Sequence, residues 1–190
     1  MPADRLTLRF LLERVPTPLG EMLIVTDGQG GLRALDWHDH EDRMRLLLRR
    51  QYPREAVVLE ESARESSATR LMRRYFDGDI AVIDGLDVVL GGTDFQRQVW
   101  AALRGIPHGA TISYRELAER IGRPQAVRAV GLANGANPVS VVVPCHRVIG
   151  SDRSLTGYGG GLARKRWLLA HEGAIRPEPE LPATARLPGF

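Results

Sequence analysis

Hydrophobic and polar positions alternate along the first 35 or so residues, and turn residues interrupt the alternation at short intervals. The segment LRFLLERV is followed by the turn TPLG, then by EMLIVT, the turn DGQGG and LRALDW. Alternation with a period of two, broken by turns of this length, is typical of β-hairpins. The pattern therefore predicts antiparallel strands at the start of the chain.

The spacing of apolar residues then changes to that of helices. EDRMRLLLRRQY and SSATRLMRRYFDGD have this spacing, and Gly78 would end the second of them. Beyond them, IDGLDVVLGGT is predicted to be an extended connection into a second unit. His38 and His40, in the loop DWHDHED, are conceivable metal ligands, but two histidines in a charged loop are far more often solvated.

The second unit is predicted to be mostly helical. TDFQRQVWAALRGI has Thr93 or Asp94 as its N-cap, and in ISYRELAERIG Ser113 and Glu116 form a capping box. AVRAVGLANGANP is a third helix, VSVVVPCHRV is predicted to be extended, and GLARKRWLLAHEG is an amphipathic helix that ends at Gly173. The last residues are rich in proline and lack periodicity, which indicates a flexible tail.

These patterns predict an α/β (α+β) protein with two folded parts. We expect a small antiparallel-sheet domain with helices over residues 1–88 and a mostly helical domain with a helix-turn-helix over residues 89–175. Residues 176–190 would form the tail.

The segment SYRELAERIGRPQAVRAVGLANG matches a helix-turn-helix, with Gly122 and Pro124 in the turn. Its second helix has little side-chain bulk, because it contains Ala126, Ala129, Gly131, Ala133 and Gly135. A smooth helix allows close approach to a narrow groove without sequence preference. Arg128 is the one long side chain near the start of this helix. Its guanidinium could contact DNA or form a surface salt bridge, and the sequence does not decide between the two.

Composition and charge narrow the functional classes. The 190 residues are 43% hydrophobic and 26% charged, which is ordinary for a globular protein, and no apolar run approaches the ~18 residues of a membrane span. The start of the chain is a poor signal peptide, so we expect a cytoplasmic protein that does not contact a membrane. Residues 1–90 contain 13 arginines against 16 acidic residues, whereas residues 91–190 contain 13 basic against 7 acidic residues. The second half is therefore the part suited to a polyanion.

Cys145 is the only cysteine, so an internal disulfide and a cysteine-rich zinc site are excluded. A lone thiol in a reducing compartment is either a buried small hydrophobe or a nucleophile. His146 and Arg147 follow it directly, and lowering the thiol pKa to ~7 takes about 2 kcal/mol of thiolate stabilisation. On an extended backbone, His146 would act as a base only through a water molecule. The spacing alone leaves both interpretations open.

Several motifs together carry a resemblance. FQRQVW, ISY, RAVGLANGANP, VPCHRVIG, TGYGGG and RKRWLLAHEG lie between Thr93 and Gly173, and this block closely resembles the O6-alkylguanine-DNA alkyltransferases of the stand-alone bacterial type. The resemblance implies a ribonuclease H-like first domain. It implies a repair protein that flips O6-alkylguanine, and O4-alkylthymine, out of DNA and transfers the alkyl group irreversibly to its own cysteine. It implies a single turnover and neither a cofactor nor a metal.

By resemblance, Cys145 is the nucleophile, and His146, through water, and Glu172 draw off the thiol proton. Asn137 is a hinge, and Tyr114 donates a hydrogen bond to the guanine. The remaining predicted contacts fall into two groups. Val148, Tyr158 and Gly159 would contact the base. Arg128 would replace the flipped nucleotide in the DNA. The residues that would contact the sugar–phosphate backbone of the DNA are Ser113, Arg115, Arg123 and Ser151.

The expected partner is double-stranded DNA with alkylated bases, bound through the minor groove with little sequence specificity, by a monomer that could bind cooperatively. Position 159 is glycine where relatives often have a side chain, and Ser140 stands where some place a proline. Three other classes remain as alternatives. They are a non-catalytic binder of alkylated DNA, a Cys–His hydrolase of acyl substrates, and a sequence-specific helix-turn-helix regulator.

Overall fold

The computed structural model describes residues 6–177, so most of the predicted tail, residues 178–190, lies outside the described part. The chain begins with a four-stranded sheet of order β3-β2-β1-β4. Its strands are β1 (Thr7–Thr17), β2 (Gly20–Thr26), β3 (Leu32–Trp37) and β4 (Ala56–Glu61). The antiparallel pairing predicted for the first three strands is confirmed.

The fourth strand makes the sheet mixed, because β4 pairs in parallel with β1. Strand β4 was not predicted from the pattern of residues, because it is short and only partly buried. A parallel neighbour requires a crossover connection, and helix α1 (Glu41–Gln51) supplies it. Met44 and Leu48 of α1 pack on one face of the sheet against Phe10, Leu23 and Val25.

The opposite face of the sheet belongs to the main core. Met22, Ile24 and Leu35 on this face pack with apolar residues of the later helices, including Trp100 and Leu168. Because both faces are covered, the strands have long buried runs rather than a strict alternation.

Helix α2 (Ser67–Phe76) follows the sheet, and Gly78 adopts a φ of +104° just after it, as its predicted role as a helix stop requires. The predicted extended connection is wrong at its start, since Ile80–Gly85 form a 3-10 helix. Further along, Val88 pairs with Leu32 of β3.

The predicted helices of the second part are confirmed. Thr93 and Gln96 form a capping box on α3, and Ser113 and Glu116 form one on α4. The turn between α4 and α5 contains Gly122 at a φ of +70°. This part comprises α3 (Asp94–Arg104), β5 (Ile112–Ser113), α4 (Tyr114–Arg120), α5 (Val127–Gly135), β6 (Val148–Ile149) and α6 (Leu162–His171).

The outer edge of β3 is where the two parts of the chain are joined. Leu35 donates its N–H to the carbonyl of Pro138 (3.0 Å) and accepts from the N–H of Ser140 (2.9 Å). Leu32 does the same with Asp87 and Val89. The segment before Cys145 is thereby hydrogen-bonded to the sheet.

Between residues 6 and 177, no helix has both the length and the apolar character needed to cross a membrane.

Candidate active site

The segment that leads to Cys145 is a compact turn, so the predicted extended conformation of VSVVVPCHRV is wrong. Val142 N–H bonds to the carbonyl of Ser140 (2.8 Å), and Val143 N–H bonds to that of Val139 (3.0 Å). Val141 has a φ of 69°, a conformation that a β-branched residue adopts only at a cost of order 1–3 kcal/mol. We call residues 139–145 the cysteine turn.

The Asn137 side chain explains why these residues do not form a strand. Its Nδ2 donates to the carbonyl of Val143 (2.8 Å), and its Oδ1 accepts from the N–H of Val139 (3.0 Å). Asn137 is buried. Its side-chain amide forms hydrogen bonds with backbone groups that would otherwise pair with a neighbouring strand. The predicted hinge residue is thus bonded to Val139, the first residue of the cysteine turn, and to Val143 within it.

Cys145 lies at the end of this turn and begins a 3-10 helix, Cys145–Arg147. The residue is only 6% exposed. Burial raises the pKa of its thiol, although the Asn137 amide and the positive charges of Lys165 and Arg43 act in the opposite direction. The thiol is therefore neutral in the resting protein and needs a base to become a thiolate.

His146 and Glu172 are in direct contact. His146 Nε2 lies 3.0 Å from Glu172 Oε1, and both side chains are completely buried. Arg147 donates to the same carboxylate through Nε (2.7 Å) and Nη2 (2.9 Å), and the Tyr75 hydroxyl donates to Oε1 (2.9 Å). We call these four residues the Glu172 cluster.

The charges of the Glu172 cluster determine which nitrogen of His146 carries the proton. Burial alone would raise the pKa of Glu172, but the hydrogen bond from His146 and the hydrogen bonds and positive charge of Arg147 hold it well below its usual range, so Glu172 is a carboxylate. Nε2 must then donate to it. Burial also lowers the pKa of His146, so the ring is neutral, and its Nδ1 is a buried acceptor with no partner within residues 6–177. A neutral imidazole with one free nitrogen is suited to take a proton.

A cavity of about 270 Å³ opens onto Cys145. Tyr114, Asn137, Tyr158 and Gly159, all predicted site residues, line it. Burial raises the pKa of the Tyr114 phenol, and the nearby Cys145 thiol acts in the same direction, so Tyr114 is a neutral hydrogen-bond donor. Val148 does not line the cavity; its carbonyl accepts a hydrogen bond from Lys165 Nζ (2.6 Å).

Lys165 was missed by the sequence reasoning, although it is the only lysine in an arginine-rich chain. It is buried and also donates to the carbonyl of Thr156 (2.6 Å). Burial lowers the pKa of Lys165 to about 8. By bonding both carbonyls, Lys165 joins β6 to the loop that precedes Tyr158.

Comparison with known proteins identifies the family. The family model "6-O-methylguanine DNA methyltransferase, DNA binding domain" matches residues 94–174. A methylated-DNA–protein-cysteine methyltransferase of Salmonella typhimurium is 51% identical over 168 residues, which cover 88% of this chain and 98% of the relative. The chain belongs to the methylated-DNA–protein-cysteine methyltransferase family. It is a DNA repair enzyme that acts by alkyl transfer.

Solved structures of relatives agree with this assignment. The Mycobacterium tuberculosis O6-methylguanine methyltransferase superposes with a TM-score of 0.67 at 36% identity, covering 90% of this chain and 96% of that one. The M. tuberculosis OGT in complex with DNA gives a TM-score of 0.67 at 37% identity, with 86% and 93% covered. The predicted two-part α/β architecture of the methyltransferase is thereby confirmed.

The predicted DNA-binding residues of the methyltransferase are mostly on its surface. Arg128 is exposed near the start of α5, and Leu132, one turn further on, is 72% exposed. Ser113, Arg115 and Ser151 line a common groove beside α4, together with Arg153, which the sequence reasoning missed. Arg123 lies outside this groove, with its guanidinium over the ring of Phe95 at 5.7 Å.

The two candidate metal ligands lie elsewhere on the methyltransferase. His38 Nδ1 is 3.0 Å from Arg14 Nη1 and 3.5 Å from carboxylate oxygens of Glu21 and Glu41. Within residues 6–177, no three side chains of His, Cys, Asp or Glu are grouped so that they could hold a metal ion.

Two residues from the first half of the methyltransferase reach the site and were also missed. Tyr75 of α2 touches Glu172, and Arg43 of α1 lines the cavity of Cys145. Tyr75 begins the segment YFDGD, which gave no sign of a role in the site, and nothing in the local sequence distinguishes Arg43 from the other arginines of α1. Their proximity depends on how the sheet packs against the helices.

Proposed function

We propose that Cys145 is the alkyl acceptor for O6-alkylguanine in double-stranded DNA and that each molecule acts once. The observation that carries this proposal is the position of Cys145 at a cavity, next to a neutral His146 whose Nδ1 is free and whose Nε2 donates to Glu172. This arrangement supports deprotonation of the thiol without a metal or a cofactor.

In the proposed reaction, a water molecule bridges Cys145 and His146 Nδ1, and the thiol proton leaves through it as the sulfur attacks the alkyl carbon. The S–C bond forms while the bond from that carbon to O6 breaks, and the electron pair stays on the guanine. Tyr114 donates a hydrogen bond to the departing base and stabilises its developing charge. The proton lost by Cys145 finally resides on guanine, so the products are a thioether and the repaired base. The Cys145 thiolate is a poor leaving group from this neutral thioether, which makes the transfer irreversible.

The base must first leave the helix, at a cost of a few kcal/mol. We infer that the protein binds the minor groove as a monomer and with little sequence preference, because α5 exposes small residues around Arg128. Arg128 would fill the gap left by the flipped nucleotide. The groove with Ser113, Arg115, Ser151 and Arg153 is suited to the phosphate backbone. A cytoplasmic location would keep the thiol reduced.

The test uses a duplex that carries one O6-methylguanine with a labelled methyl group. We expect mass spectrometry to find one methyl group per protein, on the peptide that contains Cys145, and no further transfer when more duplex is added. Cys145→Ser is the matched variant and should transfer nothing while it still binds the duplex. Label elsewhere, or equal transfer by Cys145→Ser, would contradict the proposal.

The same assay separates the alternatives. A hydrolase would turn over repeatedly and act without DNA, and a regulator would bind one sequence regardless of alkylation. Competition between duplexes with O6-methylguanine and O4-methylthymine measures whether the proposed activity extends to thymine.

A further inference from the structure

The wall of the Cys145 cavity includes a residue from the sheet part of the chain. Arg43 of α1 lines the cavity together with Ser140, Tyr158 and Gly159, and its side chain is 25% exposed. The family model matches residues 94–174 only, so it assigns Arg43 no part in the site.

Arg43 occupies the space that a side chain at position 159 would fill. A Cβ atom built on Gly159 would lie 1.6 Å from Arg43 Nη1 and 2.3 Å from its Cζ. Gly159 does not have a positive φ, so its backbone does not require glycine. The guanidinium therefore occupies the space of a side chain at position 159, and any larger residue there would have to displace it.

One contact holds the guanidinium in the cavity wall. Arg43 Nη2 lies 2.7 Å from both carboxylate oxygens of Asp36, which is buried at the end of β3. Arg43 Nε is buried and has no hydrogen-bond partner in the described part of the chain. Asp36 follows Leu35, which is hydrogen-bonded to the cysteine turn, so the strand that positions the turn also positions Arg43.

We propose that Arg43 is a specificity-determining residue, whose guanidinium fills the part of the cavity next to Gly159 and limits the size of the alkyl group that Cys145 can accept. This inference rests on the proposed function of Cys145. Selectivity for small over bulky alkyl groups would then depend on a residue of α1, which lies outside the motifs that carry the alkyl-transfer residues. When a protein side chain occupies the space that a larger substrate group needs, the rate constant for the larger substrate falls by about 10-fold or more relative to the smaller one.

The test compares second-order rate constants for duplexes with O6-methylguanine and O6-benzylguanine. Arg43→Ala should raise the benzyl-to-methyl ratio at least about tenfold. Arg43→Met, an uncharged side chain that fills part of this space but ends short of the guanidinium, should raise the ratio by a smaller factor. Arg45→Ala, an arginine of the same helix that pairs with Glu41 outside the cavity, is the matched control and should not change it.

Three outcomes would overturn the inference. They are an unchanged ratio in Arg43→Ala, an equal increase in Arg43→Met, and an equal increase in the Arg45 control. If Arg43→Ala does not fold, Arg43→Gln shortens the side chain more mildly and should raise the ratio by a smaller factor; an unchanged ratio in that variant would be equally decisive. A wild-type protein that transfers neither group would overturn the proposed function as well, whereas normal methyl transfer with an unmoved ratio rejects only the role of Arg43.

A double-mutant cycle gives an independent readout. Gly159→Ala should lower the Tm of the wild-type protein, because the new methyl group must displace the guanidinium. In the Arg43→Ala background, the same substitution should have little effect on the Tm. Equal losses in the two backgrounds would contradict the steric relationship between Arg43 and Gly159.

Discussion

Two arginine–carboxylate pairs lie near Cys145, and they differ in how completely they are hydrogen-bonded. Glu172 accepts from His146, Tyr75 and twice from Arg147, while Arg147 also donates to the carbonyl of Ile106 and to His108. Among residues 6–177, Arg43 donates only through Nη2, to Asp36. The pKa of Glu172 is lowered, whereas burial raises that of Asp36 even though Arg43 acts to lower it.

The difference corresponds to two tasks. The Glu172 cluster fixes the tautomer of His146, and that task requires a carboxylate that stays charged and does not move. The pair of Asp36 and Arg43 lies in a cavity wall and leaves the buried Nε of Arg43 without a partner within residues 6–177, so the pair can be adjusted without disturbing the proton transfer. The following predictions test this contrast.

Glu172→Gln should have the largest effect. The amide leaves Arg147 buried without its counter-charge, and breaking a buried pair in this way costs about 3–5 kcal/mol of folding free energy. The amide can also donate to His146 and so favour the wrong tautomer, which should slow methyl transfer more than about a hundredfold. Urea unfolding and single-turnover kinetics measure the two effects. A stable, fully active variant would show that the cluster has no such role.

Tyr75→Phe should weaken the same cluster without breaking it. It removes one hydrogen bond to a charged acceptor, which is worth about 1.5–3 kcal/mol of stability. Because three other hydrogen bonds to Glu172 remain, we expect the transfer rate to fall only a few-fold. Phe76→Leu, a substitution at the neighbouring residue of α2, serves as a packing control in the same urea titration. A rate loss as large as that of Glu172→Gln would mean that Tyr75 takes part in the chemistry.

The two carboxylates should affect the pH dependence of stability in opposite directions. The pKa of Glu172 is lower in the folded than in the unfolded protein, so its contribution is present above pH ~4.3 and is lost as the pH falls further. The pKa of Asp36 is raised by folding, so its protonated form is favoured and stability falls as the pH rises from ~3.9 through the folded pKa. Each slope is at most about 1.4 kcal/mol per pH unit.

Urea titrations at several pH values on Glu172→Gln and Asp36→Asn measure these slopes. The stability of the wild type relative to Glu172→Gln should rise with pH, and its stability relative to Asp36→Asn should fall. Slopes of the same sign would refute the contrast between the two pairs.

Asp84→Asn should have the smallest effect. Asp84 lies 2.9 Å from His108 Nε2, and His108 Nδ1 lies 2.7 Å from Arg147, so Asp84 is the outermost member of the network around Glu172. Its side chain is 64% exposed, and contacts of such exposed carboxylates contribute less than about 1 kcal/mol. Thermal unfolding should show a Tm within a few degrees of wild type. A larger loss would place Asp84 inside the rigid cluster.

The sequence predicted features that depend on local signals. The N-cap at Thr93 and the capping box of Ser113 and Glu116 involve residues at most three positions apart, and Cys145 and His146 belong to a single motif. The turn before Cys145 was predicted wrongly, because β-branched residues favour strands and the Asn137 side chain overrides that preference. Strand β4 and the cavity position of Arg43 were not predicted at all. Both depend on contacts between segments that are distant in the sequence, and the local pattern of hydrophobic and polar residues does not indicate such contacts. The roles assigned to the site residues stay predictions.

The hydrogen bonds along β3 also affect the solubility of the protein. An unpaired edge strand can recruit a strand from another molecule and start aggregation. On β3, Leu32 and Leu35 already bond to residues 87–89 and 138–140, so this apolar edge is closed. The opposite edge, β4, ends in Glu60 and Glu61, which pair with Arg9 and Arg14 and keep it charged. Destabilising the cysteine turn would therefore expose an apolar strand edge, and we expect variants at Asn137 to aggregate in proportion to the fraction of molecules in which the turn has detached.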